Sequence, residues 1–278
     1  MIFGYVQKII TKGSINMEIF ELEFLRIALI ATIFAAISSA IISPVVVFKK
    51  MEFIGDGTAH AAFAGLAFAF LFGIDYRLIA ILTALLFSFL ISYFTNKRNI
   101  HENSAIGMLL PVFMSIGVIL LSKSNTYAQD ISSYLFGDIL LVNYIDIYFL
   151  IFVILSEILL FFIFRKEILY FLADEKMANF YGVKTNLLRI ILLGIISITV
   201  VSVVKISGVI LLGALLIVPG LVAKKFSKSY KSVYFISISF NVIVSFIGFY
   251  IAYIFDIAPG PSIVIVSFTT FLILSSIN

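Results

Sequence analysis

The chain contains no cysteine. Within one copy, neither a disulfide nor a thiolate metal site can form, and cysteine usage gives no reading of redox compartment. Charge is also scarce. Asp, Glu, Lys and Arg make up 12% of the 278 residues, against about a quarter in soluble domains. There are two histidines, too few for a closed zinc cage of four Cys or His ligands. No Gly-x-x-x-x-Gly-Lys-Ser/Thr phosphate loop occurs, so the chain does not hydrolyse ATP by itself. A His-Glu-x-x-His pair and a nucleophile motif are absent too, which argues against a membrane enzyme.

What fills the chain is apolar. Hydrophobic residues reach 62% and mean hydropathy is +1.19. They come in long uncharged blocks, such as 27–48 and 187–204, and stretches of 18 or more such residues read as membrane-spanning helices. A soluble core does not explain so many uninterrupted runs. The segmentation predicts spans at 24–48, 58–72, 78–95, 104–121, 145–164, 188–204, 207–223, 233–254 and 262–277. The expected fold is all-α, a polytopic membrane helix bundle of about nine transmembrane helices. Residues 1–23 lack a signal-peptide pattern and read as an interfacial lead-in, with 24–278 a single transmembrane domain. The apolar stretch 131–142 is too short to span and reads as re-entrant or interfacial.

Length forces one turn. The block 187–223 is about 37 residues, roughly 55 Å as one helix. That is nearly twice a ~30 Å hydrocarbon core. The block must fold back, and 205–208 is the plausible place.

The net charge of +4 reads as loop charge rather than nucleic-acid binding. Lys and Arg concentrate in every second loop, with Lys49 and Lys50, Lys97 and Arg98, the set from Arg165 to Arg189, and Lys224 to Lys231, while the other loops carry only Arg77, Lys123 and Lys205. These loops are expected to be cytoplasmic, with the N-terminus outside and the C-terminus inside a multi-pass cell-membrane protein.

The largest of them, 165–189, has its own pattern. Asp174 suits a helix N-cap, Glu175 the first turn, and Gly182 a left-handed end. Apolar Met177, Phe180 and Tyr181 accompany them. This short amphipathic helix reads either as a docking element or as a plain interfacial anchor. Glu157 and Asn241 lie within spans and suit helix-to-helix hydrogen bonding. Lys205 is expected to snorkel at the outer turn, and His101 and Glu102 to be solvated.

Four segments then resemble a known family. The run from Lys205 to Gly220, KISGVILLGALLIVPG, resembles a stretch of the metal-ion (zinc, manganese or iron) ABC transporter permeases. The run DEKMANFYG from Asp174 to Gly182 is similar to that family's coupling-helix stretch, YLFGD from Tyr134 to Asp138 to its Tyr-Leu-Phe-Gly element, and MEFIGDGTAHAAFAG from Met51 to Gly65 to its Gly-Asp-x-x-x-His-Ala signature. Together they cover about 30–278 in the family's order. The resemblance implies a fold similar to cobalamin and siderophore importer permeases, and a homodimer with a second copy of the chain. It also implies cytoplasmic ABC ATPase subunits docked on the loop 165–189 through Asp174, Glu175, Ala178, Phe180, Tyr181 and Gly182. An extracellular or periplasmic metal-binding protein would deliver the ion. The chain departs from the family at Thr58, at Ala59, where Ser is usual, and at Ala64, where Pro is frequent.

Asp56 and His60 are four apart, so a helix stacks them on one face. Glu52 lies four residues earlier and is a further candidate for the same path, with glycines interrupting the face. Asp56 as a helix cap with His60 packed beside it is the alternative to metal contact. With the resemblance, Asp56 and His60 are expected to contact a transported divalent ion, zinc or manganese, which one imidazole and one carboxylate hold weakly enough to release. No permanently bound cofactor is expected. The competing function is a secondary transporter driven by an ion gradient, but the paired broken helices of two related halves are not evident.

Overall fold

The computed structural model describes residues 23–98, 100–123, 137, 139 and 142–276. Residues 1–22, and with them the expected lead-in, lie outside this set, as does most of 131–142. A bilayer offers no water to an unpaired peptide group, so apolar spans must close their hydrogen bonds internally. The described residues do this as helices: α1 (Glu23–Phe48), α2 (Ile54–Phe72), α3 (Tyr76–Arg98), α4 (Glu102–Lys123), α5 (Tyr144–Ile163), α6 (Arg165–Ala173), α7 (Glu175–Phe180), α8 (Thr185–Phe226), α9 (Tyr230–Phe255) and α10 (Pro259–Ser276). All but α6 and α7 are long and apolar enough to cross a membrane.

Helix α8 carries 42 residues, roughly 63 Å of helix if straight. It is not straight. Gly208 has φ 71° and ψ 171°, a conformation that is essentially glycine-only. Both ends of α8 return to one face of the bundle. Near its start, Arg189 shares Glu175 with Lys49, the residue just after α1. At its end, Lys224 lies 5.7 Å from the Phe48 ring, at the C-terminus of α1. The halves 185–207 and 209–226 are therefore two antiparallel spans, and the described residues cross nine times. The turn sits where the length of the apolar block requires it.

Gly137, also left-handed at φ 68°, rests on this turn. A Cβ added there would come within 2.1 Å of the Gly208 nitrogen. Two glycine backbones thus touch at the fold-back, and neither position admits a side chain.

Helix α1 runs through the centre. Ala31, Ala35, Ser39 and Ser43 recur every fourth residue and are buried, a small-residue stripe that lets neighbouring backbones approach. The second half of α8 crosses it closely enough that the Gly220 N–H donates to Ser43 Oγ at 2.8 Å. Polar side chains join the helices elsewhere. Asn241 on α9 donates to the Ala36 carbonyl at 2.8 Å and the Leu215 carbonyl at 3.2 Å. Glu157 on α5 lies 2.8 Å from Ser38 Oγ on α1 and 2.5 Å from Thr199 Oγ1 on α8. Both residues thus bond between helices, as their position within spans suggested.

Two expectations need correcting. Glu102 is not simply solvated: it pairs with Arg189 at 3.1 Å. Lys205 does more than snorkel, because its ammonium sits 2.5 Å from Asp146 Oδ1. Each is paired because it lies at a crowded helix end, where a partner from a distant span replaces water.

Replacing Gly208 by Ala should cost about 1–3 kcal/mol for the backbone conformation alone. We expect a clear drop in unfolding temperature in detergent. An Ala variant as stable as the parent would show that the fold-back does not need this glycine.

Candidate functional site

Helix α2 begins after Phe53, and no side chain caps it. The two glycines of its first turn explain how it enters the bundle. A Cβ on Gly55 would come within 3.2 Å of Leu216 on α8, and one on Gly57 within 2.7 Å of the Phe87 ring on α3. Glycine at both positions lets the helix start wedge between these neighbours. Asp56, between them, stays half-buried, and His60 follows one turn later on the same face, also half-buried. The two side chains are in electrostatic contact.

His60 Nδ1 is buried without a hydrogen-bond partner. A buried ring nitrogen left unpaired is costly unless something else binds it. Among the described residues, no group of three or more His, Cys, Asp or Glu side chains gathers where a metal ion could sit. Asp56 and His60 stand one turn apart without a third such side chain gathered beside them among the described residues. Glu52 does not join them; it lies in the turn before α2 and accepts a hydrogen bond from Asn103 Nδ2 at 3.0 Å.

The same end of the bundle carries the loop 165–189, folded as α6 and α7. Asp174 caps α7, accepting from the Met177 N–H at 3.0 Å. Ala178 is fully buried and seats the helix. Gly182 takes φ 85° just beyond its end. Phe180 and Tyr181 instead point outward, 82% and 63% exposed. Glu175 turns inward, to Lys49 at 3.0 Å and to Arg189. Arg189, only 6% exposed, also pairs with Glu102 at 3.1 Å and donates to Asn96. Lys49 lies 3.5 Å from the Phe171 ring centroid, a cation–π contact. Of the sequence-predicted Tyr134–Asp138 element, only Gly137 falls among the described residues.

A family model described as "ABC 3 transport family" matches residues 21–278. The chain belongs to this family of metal-ion ABC transporter permeases. It is 54% identical over 92% of its length to the "Probable metal transport system membrane protein" of Thermotoga maritima, covering 90% of that protein. It is 32% identical to the manganese import system permease protein ScaB of Streptococcus gordonii, covering 91% of each. Among solved structures, PsaBC from Streptococcus pneumoniae in complex with Fab matches at a TM-score of 0.80 and 30% identity, over 99% of this chain and 95% of that one. The permease is therefore the multi-pass membrane component of a metal-transporting ABC system and not itself a catalyst.

Sequence reading missed the set of Lys49, Asn96, Glu102 and Arg189 around Glu175. One signal was available: an arginine inside the start of a buried span must have partners. Burial pushes the Glu175 carboxyl up, but Lys49 and Arg189 outweigh it and hold the group below its ordinary value. A depressed carboxylate stabilises the fold above its unfolded value and loses that contribution as pH falls through the folded one. In this permease the loss should set in as pH drops below about 4.5. Glu175→Gln should be less stable than the parent at pH 7 and should lose less on acidification. Unfolding midpoints in detergent at pH 7 and pH 4 check this, and parallel losses in both proteins would contradict it.

Proposed function

We propose that this permease forms, with a second copy of itself, the path for a divalent transition metal, and that Asp56 and His60 contact the ion in transit. The observation that carries the reading is the unpaired, buried Nδ1 of His60, one turn from a carboxylate, at the start of a helix wedged into the bundle. One imidazole and one carboxylate make an incomplete site. Two-fold symmetry would bring a second pair to the same axis and double the ligands without a permanent cage. Manganese is the favoured cargo, because relatives are named for manganese import and the donor set mixes a hard oxygen with an imidazole that manganese accepts. Zinc fits the imidazole and stays second.

The basic face is cytoplasmic by the excess of Lys and Arg in its loops, which places the N-terminus outside and the C-terminus inside. With no phosphate loop in the chain, ATP is hydrolysed by partner subunits docked on that face. The exposed Phe180 and Tyr181 of α7 supply the apolar contact, and Asp174, Ala178 and Gly182 shape the helix that presents them. Glu175 ties that helix to the starts of two spans through Arg189 and Glu102. A metal-binding protein on the opposite side would deliver the ion. The ion-gradient alternative draws no support from the comparisons.

His60→Ala should lower manganese uptake by at least the 10–100-fold that even outer-shell changes cost metal sites, with membrane insertion unchanged. Asp56→Asn keeps an oxygen able to cap but removes the charge, so it should fail in the same way. Normal uptake by inserted His60→Ala protein would remove that residue from the path. Phe180→Asp should lose the ATPase in a detergent pull-down, because a charge on the docking face would be buried unpaired. Full ATPase retention would dissociate α7 from docking.

A further inference from the structure

The turn 49–53 joins α1 to α2 and lies between the docking helix α7 and the pair Asp56 and His60. Its Glu52 precedes Asp56 by four residues and His60 by eight. Its backbone is closed by hydrogen bonds. Lys50 takes φ 56°. The Met51 N–H donates to the Val46 carbonyl at 2.9 Å, and the Lys50 N–H to the Val47 carbonyl at 3.2 Å. Those two bonds form the Schellman pattern that ends a helix, with a lysine in the left-handed position where glycine is usual. The Ile54 N–H then donates to the Met51 carbonyl at 3.0 Å as α2 begins, and the Met51 side chain is buried. A turn with paired peptide groups and a buried apolar side chain passes a displacement on instead of absorbing it.

Two side chains grip this turn, one near each end. At its start, Lys49 Nζ donates to Glu175 of α7 at 3.0 Å. Near its end, Glu52 accepts from Asn103 Nδ2 of α4 at 3.0 Å. Both contacts are partly buried, where a bond to a charged group is worth more than on an exposed surface. The second grip also leads back to α7. Asn103 follows Glu102, Glu102 pairs with Arg189, and Arg189 pairs with Glu175. The first turn of α4 is thus tied to α7 through Glu102 and to the turn 49–53 through Asn103. Helices α4 and α2 also pack closely along their length. A Cβ on Gly57 would come within 2.9 Å of Ile106, and one on Gly117 within 2.8 Å of the Phe63 ring. A shift of α4 therefore carries α2 with it.

We propose that the turn 49–53 links the ATPase-docking helix to the metal pair. A displacement of α7 reaches Asp56 and His60 through Glu175 and Lys49 on one side, and through Arg189, Glu102, Asn103 and Glu52 on the other. The proposal rests on the reading of α7 as the docking helix and of Asp56 and His60 as ion contacts. Glu52 and Asn103 are positioning residues: they set where the start of α2 stands and do not touch the ion.

The test measures manganese uptake per inserted permease in cells expressing the whole transporter, with the ATPase pulled down from the same membranes. Glu52→Gln keeps the size of the side chain and an oxygen that accepts from Asn103, so its uptake should stay close to the parent's. Asn103→Asp sets a second carboxylate against Glu52 and breaks the bond. Uptake should then fall at least about tenfold, within the range of couplings between sites, while the ATPase stays docked and hydrolyses ATP. Combining Glu52→Gln with Asn103→Asp exchanges donor and acceptor at unchanged net charge, and should recover most of the uptake. A loss in Glu52→Gln alone would make Glu52 an ion ligand and overturn the proposal. So would parental uptake in Asn103→Asp, a double variant no better than Asn103→Asp, or loss of the docked ATPase together with uptake. If Asn103→Asp inserts poorly, Asn103→Ala removes the same bond without adding charge and is read on the same scale. Failure of the underlying reading shows on other variants, as ATPase retained by Phe180→Asp or uptake retained by His60→Ala.

Discussion

A bilayer about 30 Å thick admits a helix of about 20 residues, and α8 holds 42. The backbone of Gly208 resolves this mismatch, and much of the architecture depends on it. Because the chain reverses there, Arg189 and Lys224 return to the same face, and the second half of α8 can lie against α1 through Gly220 and Ser43. The start of α2, with Asp56 and His60, is then packed against Leu216 on that returning half. Had α8 been extended, none of these neighbours would meet. The contact of Gly137 with Gly208 closes the turn with backbone alone, where a side chain on Gly137 has no room.

Polar groups carry the register that apolar packing leaves open. Among lipid tails, leucine against leucine offers little preference over leucine against lipid, so small residues and hydrogen bonds decide which faces meet. Glu157, Asn241 and Ser237 do this within the bundle, each reaching α1. At the basic face the same role falls to ions. Arg189 is buried and holds Glu102, Glu175 and Asn96 together, and stripping a buried charge of its partner costs about 3–5 kcal/mol. The short helix α7 is thereby fastened to the spans on its inner side while Phe180 stays free on its outer side. A helix held on one side and exposed on the other is suited to pass a displacement inward.

The sequence revealed the features that local rules govern. Span length located the reversal within 205–208, the Asp174 cap and the Gly182 conformation followed from residue preference, and four-residue spacing put Asp56 and His60 on one face. The start of α2 lies four residues earlier than the hydropathy boundary at 58, because Gly55 and Asp56 are polar by composition yet helical by packing. What stayed hidden depends on distant positions meeting. Glu102 and Arg189 are 87 positions apart, and neither looks paired in its own stretch. Gly137 gives no local sign that its partner is Gly208. Glu175 could be read as a first-turn acid, but its inward turn to Lys49 comes from tertiary packing.

The proposed metal path runs past Asp56 and His60, one turn apart at the start of α2. Both are half-buried, and in the proposed dimer a second copy would bring a matching pair. Electron paramagnetic resonance of manganese(II), added to the reconstituted permease carrying 15N-labelled histidine, reads this directly through the nuclear coupling of a bound imidazole. The account predicts a 15N coupling in the parent protein that disappears in His60→Ala and persists in a variant of His101. A manganese signal without 15N coupling, or one unchanged by loss of His60, would contradict it.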